Sequence, residues 1–163
     1  MTDYTIRRVR PEDLEELTAL VQRTLSHSLA DHYDPAFIER HRQMHTIEYL
    51  TGQSREGRMH VARDNASGRI IGTATIESFW GEPTTGILLS IYVLPELQGK
   101  GIGRAMVKAL EHDAEELHFE RIAIFAYRNA IPFYERLGYA LDDSRPAPEP
   151  GLYPMVKITK GNR

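Results

Sequence analysis

No cysteine occurs in these 163 residues. That excludes a disulfide framework, a thiolate nucleophile and a cysteine-ligated zinc site. Also missing is any run approaching the roughly 18 apolar residues of a membrane-spanning helix. The opening Met1-Thr2-Asp3-Tyr4 has no signal-peptide character, so a cytoplasmic protein without membrane contact is expected. There is no surplus of basic residues either: 20 Lys and Arg stand against 23 Asp and Glu, for a formal charge of -3 and a pI near 6.2. This balance argues against nucleic acid as a partner and suits a cationic substrate. No internal repeat, low-complexity tract or composition break divides the chain, and its length fits one domain over 1–163 with a substantial core.

What is present is concentrated at Gln98-Gly99-Lys100-Gly101-Ile102-Gly103-Arg104. Alternate glycines let the backbone bend tightly and bring its N–H groups near an anion at the positive end of a following helix. Lys100 and Arg104 add cationic reach. The run is not a Walker A loop, which needs Ser or Thr after its lysine where Gly101 stands. Nor does it fit the G-x-G-x-x-G dinucleotide fingerprint, because the third glycine comes one residue early and Pro95 to Gln98 separate it from the preceding strand.

Behind the loop, Ile102, Ala105, Met106, Ala109, Leu110, Ala114 and Leu117 recur at spacings of three and four, which predicts a helix with one apolar face. Gly86 to Leu94 before it and Arg121 to Tyr127 after it are short apolar runs expected of strands buried on both faces. Strand, helix and strand over this length form a parallel unit with a right-handed connection.

Two segments resemble the GNAT (Gcn5-related) acyltransferases, which move an acetyl group from coenzyme A. Ile91-Tyr92-Val93-Leu94-Pro95-Glu96-Leu97-Gln98-Gly99-Lys100-Gly101-Ile102-Gly103-Arg104 is similar to the family's strand and its Q/R-x-x-G-x-G/A loop. Asn129-Ala130-Ile131-Pro132-Phe133-Tyr134-Glu135-Arg136-Leu137-Gly138-Tyr139 is similar to its late helix and following strand. The resemblance implies a mixed α/β (α+β) fold: a central sheet of about six to seven strands with flanking helices, in which the strands of 86–94 and 121–127 are parallel and splay apart. It implies a cofactor-binding core over 86–139. Pantetheine would lie in the gap against backbone of Ile91, Tyr92 and Val93. Amides of Gln98, Gly99, Lys100, Gly101, Ile102, Gly103 and Arg104 would take the pyrophosphate of acetyl-CoA, the cosubstrate. Asn129 would either cap the late helix or face the cofactor. Tyr134 matches the family's general acid, the donor to the departing thiolate, and packing against the sheet is its alternative role.

An alkyl ammonium of pKa about 10.4 is neutral at pH 7 in only about one molecule in 2,500, so its deprotonation costs about 4.6 kcal/mol and calls for a base. The glutamate that many family members carry early in the loop's strand is absent, since that stretch reads Thr85-Gly86-Ile87-Leu88-Leu89-Ser90. Glu77 is the nearest substitute, with His41, His45 and Ser90 behind it. His41 and His45 have metal-ligand spacing, but Arg42 stands where a zinc hydrolase carries Glu, so no metal is expected and the pair is placed on the acceptor side or in solvent.

Elsewhere, Thr5 to Val9 predicts a strand, and Pro11-Glu12-Asp13 opens a helix with apolar face Leu14, Leu17, Val21 and Leu25. Residues 26–52, rich in His, Arg and Tyr, contain a predicted helix from about Pro35 to Leu50, and the family resemblance implies that they shape the acceptor side. Met59 to Arg63 and Arg69 to Phe79 flank a hairpin turn, and Tyr153 to Thr159 ends the sheet after a proline-rich, extended Arg145 to Gly151 loop. Two functions remain open: an N-acetyltransferase acting on a small-molecule or protein amine by direct attack in a ternary complex, or a non-catalytic acyl-CoA-binding sensor. Either is compatible with a monomer or a homodimer.

Overall fold

The computed structural model describes residues 3–159. Strands β1 (Tyr4–Arg8), β2 (Arg58–Asp64), β3 (Ile70–Phe79), β4 (Glu82–Val93), β5 (Arg121–Tyr127), β6 (Ala140–Leu141) and β7 (Leu152–Ile158) form one seven-stranded sheet in the order β1-β2-β3-β4-β5-β7-β6. The helices are α1 (Leu14–Leu29), α2 (Pro35–Met44), α3 (Ile47–Glu56), α4 (Ile102–Glu116) and α5 (Ile131–Arg136). Every strand pairing is antiparallel except that of β4 with β5. The mixed sheet and the parallel pair are those expected from the sequence. Among the described residues, no helix is long and apolar enough to cross a membrane.

β3 is buried at every position from Ile70 to Ile76, so both faces of the sheet centre are covered. α4 covers one face through Ile102, Met106, Val107, Leu110 and Ala114, with Met106 against Gly72 of β3. α1 packs on β3 and β4, with Leu17, Val21 and Leu25 fully buried. The stripe read from the sequence is shifted in α4: Val107 belongs to the core, whereas Leu117 lies past the last turn and is 37% exposed.

The expected helix over 35–50 is two helices. Asp34 caps α2 by accepting from the Phe37 N–H, and Thr46 caps α3 by accepting from the Tyr49 N–H at 3.1 Å. Threonine at a boundary supplies an N–H with an acceptor more readily than a mid-helix position would, and the chain turns at His45 (φ -89°, ψ 65°). β4 also begins earlier than expected, because Trp80 and Gly81 turn it directly out of β3.

β4 and β5 pair only at Thr85–Arg121, Gly86–Ile122 and Ile87–Ala123. Beyond this point β4 carries an extra residue: Thr75 pairs with Leu89 but Thr73 with Tyr92, and Ser90 takes a left-handed φ of 52°. Such a bulge bends the strand and ends its pairing. Phe119 closes the paired end, lying so near Gly86 that a Cβ there would meet its ring at 2.5 Å. One end of the parallel pair is thus packed shut and the other held open.

Candidate active site

A cavity of about 460 Å³ occupies the gap where β4 and β5 diverge. Ile91, Tyr92 and Val93 line it from β4, Tyr127 from β5, and Asn129, Ala130, Phe133, Tyr134 and Arg136 from the segment leading into and through α5. Gln98, Gly99, Gly101, Gly103 and Arg104 of the glycine loop also line it. Of the expected cofactor residues, Lys100 and Ile102 do not: Lys100 is exposed, and Ile102 is buried in the core beneath α4.

Gly99 (φ 78°) and Gly101 (φ 87°) both adopt left-handed backbone, and open space surrounds their α-carbons, so it is conformation rather than crowding that requires glycine. Gly101 is the N-cap of α4, and its carbonyl accepts the Ala105 N–H at 3.0 Å. The amides of Ile102, Gly103 and Arg104 ahead of that bond have no partner within the helix. Gly103 packs against Phe133, joining the loop to α5.

A further wall comes from α1, for which the sequence predicts only an apolar face. Thr24, Leu25, Ser28 and Leu29 line the cavity, and the buried Thr24 hydroxyl has no hydrogen-bond partner among the described residues. Ser28 joins both sides of the opening: its hydroxyl accepts from Gln98 Nε2 at 3.2 Å and its carbonyl from Asn129 Nδ2 at 3.3 Å. Asn129 is therefore not the helix cap. A 3₁₀ turn over Arg128–Ala130 intervenes, and α5 starts after Ala130 with no side-chain cap. The signal available in the sequence was Thr24 and Ser28 continuing the stripe of Leu17 and Val21 with hydroxyls.

Tyr134 is 5% exposed and lines the cavity from α5. Burial, reinforced by the phenol of Tyr127, holds its own phenol well above the ordinary tyrosine range, so it is protonated at neutral pH. A helix as short as α5 is fixed by its surroundings. The Tyr134 carbonyl accepts from the Leu137 and Tyr139 N–H groups, Tyr139 donates to Glu111 of α4 at 2.9 Å, and Lys157 of β7 bridges Glu111 and the Leu137 carbonyl.

The aromatic and histidine-rich segment of 26–52 packs beside this cavity. Tyr33, Phe37 and His41 stack in series at 4.2 Å, edge-on to Tyr127. His41 and His45 are buried, not solvated. His45 Nδ1 lies 2.6 Å from the His41 carbonyl and its Nε2 3.4 Å from the Tyr92 hydroxyl. Glu149, from the proline-rich loop, reaches back to Arg40 and His41; burial acts to raise its carboxyl, but those cationic and hydrogen-bonding partners outweigh it and hold the carboxyl below its ordinary value. Among the described residues, no cluster of His, Cys, Asp and Glu is suited to a metal ion.

Burial lowers the His45 imidazole below its ordinary 6.5. As pH falls the unfolded chain takes up that proton before the folded one does, so stability is full above about pH 6.5 and is lost as pH drops through the folded-state value. The thermal midpoint is expected to fall between pH 7.5 and 5.5, and His45→Gln to flatten that slope; an equal slope in the variant would assign the effect elsewhere.

Glu77 is not brought to this group. It pairs with Ile87, about 13 Å along β4 from Ile91 at a rise of about 3.3 Å per residue, and sits beside Gly57 and Glu56. Burial and Glu56 raise its carboxyl, but it does not line the cavity.

Three comparisons bear on this arrangement. A protein of Porphyra purpurea described as an uncharacterized N-acetyltransferase, ycf52, is 27% identical over 82 residues, half of this chain and 46% of that one. The PaiA N-acetyltransferase of Thermoplasma acidophilum, crystallised in complex with coenzyme A, superposes with a TM-score of 0.82 at 20% identity, over 96% of this chain and 99% of its own. A GNAT-family acetyltransferase of Staphylococcus aureus Mu50 gives 0.78 at 15% identity, over 97% and 100%. The family model for acetyltransferases of the GNAT family matches residues 18–139, from within the cavity-lining α1 through the glycine loop to just past α5, and this chain belongs to that family.

Proposed function

We propose that the protein is an N-acetyltransferase that moves an acetyl group from acetyl-CoA to a primary amine, on a small molecule or a protein, by direct attack in a ternary complex. The observation that carries this reading is the cavity itself, in which strand backbone no longer paired to β5, a left-handed glycine loop and the buried Tyr134 converge. Tyr92 and Val93 stay paired to β3, and on the opposite edge, where pairing to β5 has ended, the backbone of Ile91, Tyr92 and Val93 hydrogen-bonds the amides of pantetheine as an added strand would, with Gln98 Nε2 giving up the Val93 carbonyl it now holds at 3.0 Å. Amides of Gly99 to Arg104 take the pyrophosphate, the Gln98 N–H being held by the Pro95 carbonyl at 3.3 Å; Lys100 and Arg104 supply positive charge, and Asn129 faces the cofactor. The Thermoplasma neighbour was crystallised with coenzyme A, which supports that occupant.

In the reaction the amine nitrogen bonds to the thioester carbonyl carbon and the carbon–sulfur bond breaks. The sulfur leaves as a thiolate and takes the Tyr134 phenolic proton, while the proton lost by the attacking nitrogen restores the phenol. A thiol has an ordinary pKa near 8.5 and a phenol near 10, and burial raises the Tyr134 phenol further, so its proton moves to sulfur in concert with its replacement by the proton from the attacking nitrogen. With no cysteine in the chain to hold the acetyl group, transfer is direct.

Release of free thiol from acetyl-CoA, measured over a panel of primary amines with the acetylated product identified by mass, tests the reading. Amine-dependent release is expected; coenzyme binding without release to any amine would favour the sensor. Gly101→Val, which forces a β-branched residue into a left-handed conformation at a cost of about 1–2 kcal/mol, should weaken coenzyme A binding about tenfold by titration calorimetry. Unchanged affinity would remove the loop from the binding site.

A further inference from the structure

Beside the cavity the structure holds a hydrogen-bonded series of groups that the acetyl transfer does not use. Tyr127 lines the cavity, its hydroxyl lies 3.0 Å from Nδ1 of His41, and Nε2 of His41 lies 3.1 Å from Oε1 of Glu149. A carboxylate only accepts hydrogen bonds, so Nε2 carries the imidazole proton and Nδ1 presents its lone pair to the Tyr127 hydroxyl. The ring is also fixed in plane, stacked on Phe37 at 4.2 Å.

We infer that Tyr127, His41 and Glu149 form the relay that deprotonates the acceptor, with Tyr127 meeting the ammonium group and His41 receiving the proton. The inference rests on the transferase reading and names the base that reading leaves open. The ammonium gives a proton to the Tyr127 oxygen as the Tyr127 hydroxyl proton passes to Nδ1. His41 becomes an imidazolium paired with the Glu149 carboxylate, and the neutral amine attacks. The second nitrogen proton goes by way of Tyr134 to sulfur, and the imidazolium later releases its proton to solvent, which accounts for both protons of the acceptor. Glu149 is a positioning residue: it fixes the tautomer and stabilises the imidazolium. The remaining polar and charged groups around His41 are Arg40, which shares Glu149 from α2, His45 on the His41 carbonyl and Tyr49 of α3 against His45, while around Tyr127 they are Tyr92 of β4, which hydrogen-bonds its hydroxyl, and Tyr33, edge-on to its ring. Arg40 is the only one bearing a fixed charge, and it is directed at Glu149, not at the imidazole.

The test compares two nucleophiles at pH 7.5: n-butylamine, which is almost wholly protonated, and hydroxylamine, which is neutral. Glu149→Gln and His41→Gln are each expected to lower thiol release with n-butylamine at least tenfold more than with hydroxylamine, and that difference should shrink as pH rises toward the amine's own pKa of about 10.4. Equal losses with both nucleophiles, constant across pH, would reduce the trio to a structural role and overturn the relay. Glu149 is half-buried where His41 is buried, so its variant serves if His41→Gln fails to fold. Histidine-selective nitrogen NMR decides the geometry without any acceptor. His41 protonated on Nε2, with an Nδ1 resonance that moves in Tyr127→Phe, supports the relay; protonation on Nδ1 overturns it. Failure of the wild type to release thiol with either nucleophile would count against the transferase reading, and the tautomer would still decide the relay.

Discussion

Tyr134→Phe is expected to lower turnover by about 10²-fold while leaving coenzyme A affinity nearly unchanged. The substitution removes one oxygen and keeps the ring, which packs edge-on to Phe133 at 5.0 Å and Tyr139 at 5.8 Å, so α5 should stay in place. What is lost is a buried proton donor on the cavity wall, where no other hydroxyl on α5 can replace it. The loss is bounded because a thiolate of pKa near 8.5 leaves unassisted at a useful rate. Steady-state kinetics and calorimetry on the same preparation separate the two effects. Wild-type turnover in the variant would remove Tyr134 from the chemistry, and a matching loss of affinity would make it a packing residue.

Leu110→Ala is expected to destabilise the protein by about 2–5 kcal/mol. Leu110 is fully buried at the centre of the α4 face that covers the sheet, between Met106 and Ala114 one turn to either side. Deleting most of its side chain forfeits the transfer free energy and leaves a cavity that a β-sheet on one side and a helix on the other cannot collapse to fill. Leu117→Ala, at a position 37% exposed beyond the last turn, should cost within about 0.5 kcal/mol. Urea unfolding of both variants checks the pair. Equal costs would mean that α4 packs by the stripe read from the sequence rather than by the face described above.

The contrast between these leucines shows what periodicity conveys. A run at spacings of three and four located α4, and the alternate glycines located the turn that starts it, because both signals are local and each depends on a few neighbouring residues. The divergence of β4 and β5 was legible only through resemblance, since the bulge at Ser90 depends on how β3 pairs with β4 and no residue type announces it. The break between α2 and α3 rests on Thr46 accepting from the Tyr49 N–H, a cap that a threonine in the middle of a helix-forming stretch does not announce. Glu77 was proposed from the order of strands, and register then placed it near the packed end of the parallel pair instead of the open one. His41, Tyr127 and Glu149 lie 86 and 108 residues apart along the chain, so only the fold could bring them together. Thr24 and Ser28 entered the cavity wall for the same reason.

The central claim is that the open end of the β4–β5 pair is an acyl-CoA site, and a thermal melt with acetyl-CoA, coenzyme A, ATP and NAD, each at about 100 times a plausible dissociation constant, tests it most directly. Binding to the folded state alone adds about 2.7 kcal/mol, or roughly 5 to 10 °C for a domain of this size. A shift of that order with acetyl-CoA and coenzyme A, but not with ATP or NAD, is the predicted result. No shift with either coenzyme would contradict the assignment of the Gln98 to Arg104 loop and of the cavity it borders.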